Sequence, residues 1–227
     1  MKNFLFLLFT LVGLGQENEP IFLVTGTDWT LTVESDQLHF VGNGSNFTSP
    51  YTVLNHADGT KLIAAHNKTE LQVYIKQQTC SMGADFSWGG KATLLSHRKK
   101  TMWSGEGCAI FKPDYRLSKV WRLTSLSGRP ATALEFGGEL PYLDILTRNG
   151  MFSGYAGCNR IIGKITFATI NELSIGDIIA TKMICTAENR ESEFLAILRK
   201  VNRFAVSGGQ LILYEGSNEQ VRFEQVL

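Results

Sequence analysis

Four cysteines are the residues of this chain whose type and spacing most directly predict chemistry. They are Cys80, Cys108, Cys158 and Cys185, an even number with no Cys-x-x-Cys pair among them. Zinc sites and thioredoxin-like redox sites bring cysteines together at that short spacing, so disulfide bonds are the better interpretation. Four cysteines allow three pairings, which the sequence does not distinguish, although nearness along the chain favours Cys80 with Cys108 and Cys158 with Cys185. Four buried free thiols are the alternative.

Residues that could perform catalysis are dispersed along the sequence. All four histidines precede residue 100, so a cysteine–histidine pair that used Cys158 would have to join distant parts of the chain. A position of Cys158 near Glu188 or Glu191 could suggest a reactive thiol, and a cysteine-dependent enzyme is an alternative. Asp85 near Trp88 could act as a general acid, but the sequence identifies no partner carboxylate. We predict no catalytic residue, no cofactor and no enzymatic activity.

The histidines also give a weak indication of a metal site. His56 and His66 could meet with Asp58 to supply three ligands. Their spacing is not that of a paired metal-binding motif, so solvated loop histidines are the favoured interpretation, as they are for His39 and His97. The sequence predicts no metal site.

Polar residues next to the last two cysteines are candidates for a binding site. Asn159 lies in a glycine-rich turn, and asparagine tolerates left-handed backbone geometry, so a structural role is favoured over ligand binding. Thr181, Lys182 and Met183 could form a surface patch. Packing and strand formation explain the threonine and the methionine equally well, and we expect Lys182 to be solvated.

Composition and charge exclude an electrostatic nucleic-acid binder. The chain has 227 residues, is 44% hydrophobic and carries a net charge of +1. Removal of a leader that contains Lys2 leaves 22 − 1 = 21 basic against 21 acidic residues, whereas nucleic-acid binding needs a basic stripe. The densest basic run, His97 to Lys100, is interpreted as a solvated hairpin turn. Trp88, Trp103 and Trp121 are interpreted as core residues and not as a sugar platform.

Residues 1–15 predict a signal peptide. Lys2 gives a positive start, and Phe4 to Leu14 form an apolar run that is too short to span a bilayer. A lipoprotein signal would have a cysteine at the cleavage position, where Gln16 stands. We therefore predict a protein without a lipid anchor that is exported to the periplasm or cell envelope and is not transmembrane after signal removal.

Strand and turn signals divide the remaining chain into two β-rich modules. Residues 20–113 alternate apolar and polar side chains without a helical period, and Asn43 to Pro50 is predicted to be a polar loop. Residues 116–227 add further strands and one amphipathic helix over residues 188–201. The predicted fold is mainly β, or α+β. It has two small antiparallel modules, the second of which is a curved sheet packed on the helix.

Motifs in the second module fall in one order: an opening Trp, a glycine-rich turn that ends in Cys-Asn-Arg, a Thr-Lys-Met-x-Cys segment, and a helix with Glu-x-x-Phe. The residues are Trp121, Gly154, Gly157, Cys158, Asn159, Arg160, Thr181, Lys182, Met183, Cys185, Glu191 and Phe194. This pattern closely resembles the META domain of the HslJ-like heat-shock protein family. The resemblance implies a non-enzymatic protein of the cell envelope with a role in stress tolerance and a protein or small envelope component as its partner.

The first module is similar to an uncharacterised domain of bacterial exported proteins and lipoproteins with paired cysteines. The matching residues are Gly26 to Trp29, Cys80 to Met82, and Gly107-Cys108. Small disulfide-bonded β modules in bacterial envelopes can also inhibit enzymes. An inhibitor of lysozyme or of a protease is therefore an alternative function, with Ser81 to Gly90 as the candidate inserting loop.

Overall fold

The computed structural model describes residues 20–56, 58–78, 80, 88–185 and 189–226. The predicted signal peptide, Asp85 and residues 81–87 of the candidate inserting loop lie outside these ranges. Within them the chain forms eighteen β-strands and one α-helix, arranged as two antiparallel sheets with separate hydrophobic cores. None of the helical structure in the described residues has the length and apolar character needed to cross a membrane.

The first sheet contains nine strands in the order β4-β3-β2-β1-β9-β8-β7-β6-β5. Their bounds are β1 Phe22–Gly26, β2 Trp29–Val33, β3 Gln37–Gly42, β4 Ser45–Pro50, β5 Thr52–His56, β6 Gly59–His66, β7 Thr69–Gln77, β8 Trp88–Ser96 and β9 Thr101–Phe111. The sheet curls until β4 approaches β6, where the hydroxyl of Ser49 donates a hydrogen bond to the carbonyl of Ala65 at 2.9 Å.

Alternation of side chains explains why these residues form strands. In β2 the side chains of Trp29, Leu31 and Val33 point into the core, and the two threonines between them point outward. Each large apolar side chain buried in this way contributes about 1.5–3 kcal/mol. Trp88 is buried in the same core as predicted, and the partly buried Trp103 packs against it.

The prediction of a loop over Asn43 to Pro50 is wrong, because a tight turn is followed there by β4. Asn43 and Gly44 adopt positive φ angles of 48° and 69°, which reverse the chain within two residues. Only Phe47 and Ser49 of β4 are buried, so the apolar alternation is too sparse to indicate a strand from sequence alone.

The second sheet has the order β15-β14-β13-β12-β10-β18-β17-β16, and the short β11 pairs with β10. Its strands are β10 Val120–Leu126, β11 Arg129–Pro130, β12 Tyr142–Leu146, β13 Met151–Tyr155, β14 Arg160–Phe167, β15 Leu173–Ala180, β16 Arg203–Ser207, β17 Gln210–Glu215 and β18 Asn218–Gln225. Its two ends meet in a single bridge between Glu172 and Arg203, so this sheet is also strongly curved.

The helix α1 spans Glu191–Leu198, which is shorter than the predicted range. The side chain of Asn189 accepts a hydrogen bond from the backbone N–H of Glu191, the first residue of the helix, at 2.8 Å, which satisfies one donor of the first turn. Phe194 and Leu198 are fully buried, and the ring of Phe194 meets the ring of Phe223 edge to face at 6.3 Å. The helix thus fills the core of the second sheet, where Trp121 is also buried.

The loop between β14 and β15 connects the two sheets. Ile170 in this loop is 6% exposed and packs in the core of the first sheet, although it belongs to the second half of the chain. The amide of Asn55 in β5 donates hydrogen bonds to Asn171 at 2.9 Å and to Glu172 at 2.8 Å. One apolar side chain and two hydrogen bonds therefore join the sheets at this point.

Candidate functional site

The four cysteines form two disulfide bonds. Cys80 is bonded to Cys108 and Cys158 to Cys185, with Cα–Cα distances of 5.7 and 5.8 Å. This is the pairing that nearness along the chain favours, and no cysteine is left as a free thiol in the described chain, which contains all four. Disulfide bonds persist in oxidising compartments, so the two bonds indicate an extracellular or periplasmic environment.

Asn159 is the centre of a buried hydrogen-bond network beside the second disulfide. The side chain is 5% exposed, and its amide group donates to Glu191 at 2.7 Å and lies 3.4 Å from the sulfur of Cys185. Its carbonyl oxygen accepts from the hydroxyl of Thr181 and from the backbone N–H of Met183, both at 2.8 Å. Both ends of the amide are thus satisfied by the protein itself.

Glu191 anchors this network from the helix. Its carboxylate is buried and accepts the backbone N–H of Asn159 at 2.6 Å as well as the side-chain amide. A buried carboxylate is costly unless it is hydrogen-bonded, so these two donors explain why a glutamate is placed at the first turn of α1. The network links the turn after β13, the segment after β15 and the helix.

Two glycines of the motif allow close approach of the backbone. Gly154 lies in β13 where an added Cβ would collide with the carbonyl oxygen of Tyr142 in the neighbouring strand. Gly157 has a φ of 118°, and an added Cβ would lie 2.6 Å from the ring of Phe136. The left-handed position in this turn is therefore Gly157, and the positive φ that motivated our interpretation of Asn159 is not at that residue.

The segment Thr181–Cys185 follows β15 and is neither strand nor helix. The backbone N–H of Thr181 donates to the carbonyl of Arg160 at 3.0 Å, which ends the pairing with β14. Lys182 is exposed, as predicted. Met183 is 65% exposed and Ile184 is fully exposed, so of the two interpretations left open for Met183, packing does not hold and a surface position does.

The ligand atoms of Cys158, Cys185 and Glu191 lie within 4.8 Å of one another, a geometry that could hold a metal ion. Both sulfur atoms are consumed by the disulfide, however, and neither is a thiolate that could bind a metal or attack a substrate. The arrangement around Cys158 in this bonded state is a structural one.

The histidines do not form the metal site considered from the sequence. The ring of His66 stacks on Phe47 with 4.4 Å between centroids, whereas the ring of His56 meets the edge of Tyr74 at 5.8 Å. Asp58 accepts a hydrogen bond from the hydroxyl of Tyr74. His56 and Asp58 thus both contact Tyr74, whereas His66 contacts Phe47, and among the described residues the three do not form a group of metal ligands.

A tyrosine–arginine cluster on the outer face of the second sheet was not predicted. Cross-strand pairing places Tyr142 opposite Tyr155, and Tyr155 opposite Arg160. The guanidinium of Arg160 lies 5.9 and 5.8 Å from the two ring centroids and donates to the hydroxyl of Tyr142. Burial raises the pKa of Tyr155, with a smaller contribution from the negative charge of Glu139. Only knowledge of the strand register could have revealed this cluster.

A cavity of about 660 Å³ opens beside the bond between Cys80 and Cys108. Tyr74, Lys76 and Lys91 supply part of its polar wall, and its remaining wall is rich in glycine. In the candidate inserting loop, residues 88–90 belong to β8 and are buried, so that end of the loop is not available for insertion into a partner.

Residues 116–226 match the model of the META domain. This match suggests a family of stress-related proteins that is not enzymatic. No curated protein matches the chain. The chain is also similar to a protein solved by NMR, at 20% sequence identity over 48% of this chain and 90% of that one, with a TM-score of 0.37. A likeness at that level carries no argument about function.

Proposed function

We propose that this protein is an exported, non-enzymatic protein of the cell envelope. We propose that it is HslJ-like and binds a protein or a small envelope component as part of stress tolerance. The predicted signal peptide, the two disulfide bonds and the META match over residues 116–226 support this proposal.

The observation that carries the proposal is that the motif residues around Asn159 are engaged in contacts within the protein itself. Its side-chain amide, the carboxylate of Glu191 and the disulfide are all engaged with one another or with the backbone. A catalytic site would need a nucleophile, a base or an acid with capacity left for a substrate. Here the same chemistry builds a rigid support for the exposed segment Thr181–Cys185, as a recognition protein requires.

Cross-linking in the envelope tests this function. The full chain is expressed with residues 1–15, and partners are captured by a cell-impermeant cross-linker before and after heat stress. We expect export to the envelope and one partner that is enriched after heat stress. Recovery of the protein in the cytoplasm, or turnover of a substrate that a single side-chain change abolishes, would contradict the proposal.

The two alternatives make different predictions. A cysteine-dependent enzyme requires a thiolate at Cys158, so alkylation of the native protein without reductant would have to label that residue. An inhibitor that uses the loop Ser81 to Gly90 would have to lose inhibition of lysozyme when residues in that loop are changed. We expect neither result.

A further inference from the structure

We propose that the segment Thr181–Cys185 is a substrate-like loop that occupies the active site of a serine protease, with Lys182 entering a specificity pocket that has a carboxylate at its base. This inference rests on the proposed function, because it names the class of partner for an exported binding protein. It also moves the inhibitory loop from residues 81–90 to a segment that the structure describes completely.

The exposure of the segment is the first observation. The side chains of four consecutive residues, Thr181 to Ile184, are exposed, and Met183 and Ile184 are 65% and 102% exposed. Contiguous exposed apolar surface is a feature of protein interaction sites, and Met183 and Ile184 present two adjacent apolar side chains to solvent. A protease reads such a stretch of consecutive side chains in neighbouring subsites.

The second observation is that this exposed segment is held firmly. On the amino side of the Lys182–Met183 peptide bond, Thr181 is bound to Asn159 through its hydroxyl and to the carbonyl of Arg160 through its backbone. On the carboxyl side, the N–H of Met183 is bound to the same oxygen of Asn159. The disulfide at Cys185 fixes the end of the segment.

This support makes the segment a good ligand for a rigid pocket. Binding a flexible loop carries the entropic cost of ordering it, and a loop whose backbone is already held avoids much of that cost. Glu191 in turn fixes Asn159 through two hydrogen bonds, so the support reaches the buried helix. A membrane surface would not require this degree of order.

Charge selects the kind of protease. Lys182 is the only charged residue between Thr181 and Cys185, and no ion pair engages its ammonium group in the described ranges. The nearby Arg160 is engaged by Tyr142 and Tyr155. A trypsin-like specificity pocket carries a carboxylate that pairs with one such cation.

The chemistry explains why the loop would inhibit the protease and not only be digested. Hydrolysis adds one water molecule across the Lys182–Met183 bond and gives a carboxylate on Lys182 and an ammonium group on Met183. Asn159 and the disulfide keep these two new ends next to each other, so the reverse reaction, which releases the water, competes with dissociation. The cut and uncut forms then both remain bound.

Trypsin is the probe for the test. The mature protein with both disulfides intact is titrated against a fixed concentration of active trypsin. We expect inhibition with a one-to-one end point, weakened at least 100-fold by Lys182→Ala and retained by Lys182→Arg. Lys200→Ala, at an exposed lysine after α1, is the matched control and should leave inhibition unchanged. Thr181→Val removes one hydrogen bond to Asn159, and we expect it to speed cleavage after Lys182 about tenfold.

Mass spectrometry measures cleavage after Lys182 and the state of the disulfides, and circular dichroism measures whether each variant is folded. Absence of inhibition by a folded protein with both disulfides, or rapid complete cleavage after Lys182, would overturn the loop assignment. So would inhibition that Lys182→Ala leaves intact, or binding to phosphatidylglycerol vesicles that Ile184→Ser abolishes in the absence of inhibition. None of these results contradicts an exported binding protein, whose own test is localisation and cross-linking in the envelope.

Discussion

The two sheets carry disulfide bonds of nearly equal span, with sequence separations of 28 and 27 residues, in different surroundings. Cys108 lies within β9, and backbone pairing with Thr25 on one side and Gly89 on the other already holds it in place. Cys185 lies in an irregular segment that depends on the side chain of Asn159. The first bond therefore reinforces an existing strand ladder, whereas the second helps to create local order.

Removing each bond separately tests this comparison with the largest expected effect. The double substitutions Cys80→Ala with Cys108→Ala, and Cys158→Ala with Cys185→Ala, should each lower the free energy of unfolding by about 3.5 kcal/mol, because the closed loops are of similar length. Urea titration measures this loss. Hydrogen exchange should then differ: the second variant loses protection at Met183, whereas the first retains protection in β9.

Loss of protection in β9 of the first variant would contradict the comparison, because it would show that the ladder depends on its disulfide. Retained protection at Met183 in the second variant would show that Asn159 alone holds the segment.

Asn159→Ala tests how much the side chain of Asn159 contributes to holding the segment Thr181–Cys185 in place. The substitution leaves the buried carboxylate of Glu191 with one fewer donor and frees the N–H of Met183. Unsatisfied buried groups of this kind cost about 1–3 kcal/mol each, so we expect a loss near 3 kcal/mol in urea titration. Asn46→Ala, at an exposed position of β4, is the control and should change stability by less than about 0.5 kcal/mol. Equal effects of the two substitutions would show that the hydrogen bonds of Asn159 do not stabilise the fold.

Ile170→Ala tests the connection between the sheets. Truncation of this buried side chain should lower the free energy of unfolding by about 2 kcal/mol. The reason is that Ile170, from the second half of the chain, fills part of the core of the first sheet. We expect the two sheets to unfold at more widely separated urea concentrations, as monitored by hydrogen exchange in each sheet. Ile179→Ala, at a 65% exposed position in β15, is matched in chemistry and should be nearly neutral. A large effect at Ile179 would mean that the exposed face is covered in solution.

The smallest expected effect is a pH dependence of stability that arises from two carboxyls of the second module. Hydrogen bonding from Arg190 holds the pKa of Glu193 below its usual range, and hydrogen bonds from Thr132 do the same for the pKa of Glu135. Carboxyls with a lowered folded pKa stabilise the fold above the unfolded value of 4.5, and this stabilisation is lost as the pH falls through the lower folded value.

Arg190→Gln should therefore flatten the dependence of Tm on pH below that value. The change in Tm should be no more than about 2 °C, because these carboxylates are largely solvated. Arg98→Gln, in an exposed turn of the first sheet, should leave the profile unchanged. A steeper profile for Arg190→Gln would reverse the sign of the argument.

Local pattern made most strands predictable, and the alternation in Trp29 to Val33 predicts β2 with the observed bounds. It could not predict contacts that depend on distant residues. Asn159 and Glu191 are 32 residues apart, and Asn55 and Asn171 are 116 apart, so no local pattern reports that they meet. The sequence left both packing and a surface patch open for Met183 for the same reason, since the backbone of Met183 is held by Asn159 from a different part of the chain.

The position of Ile170 has a consequence for anyone who divides this chain at its midpoint. A fragment with only the second half would expose the side chain of Ile170 to water and would lose the hydrogen bonds from Asn55 to Asn171 and Glu172. A fragment with only the first half would have a cavity at the position of Ile170. Because of this exposed apolar surface, each fragment would be more prone to aggregation and less soluble than the whole chain. Transplanting the second half onto another carrier would first require a polar replacement at this one position.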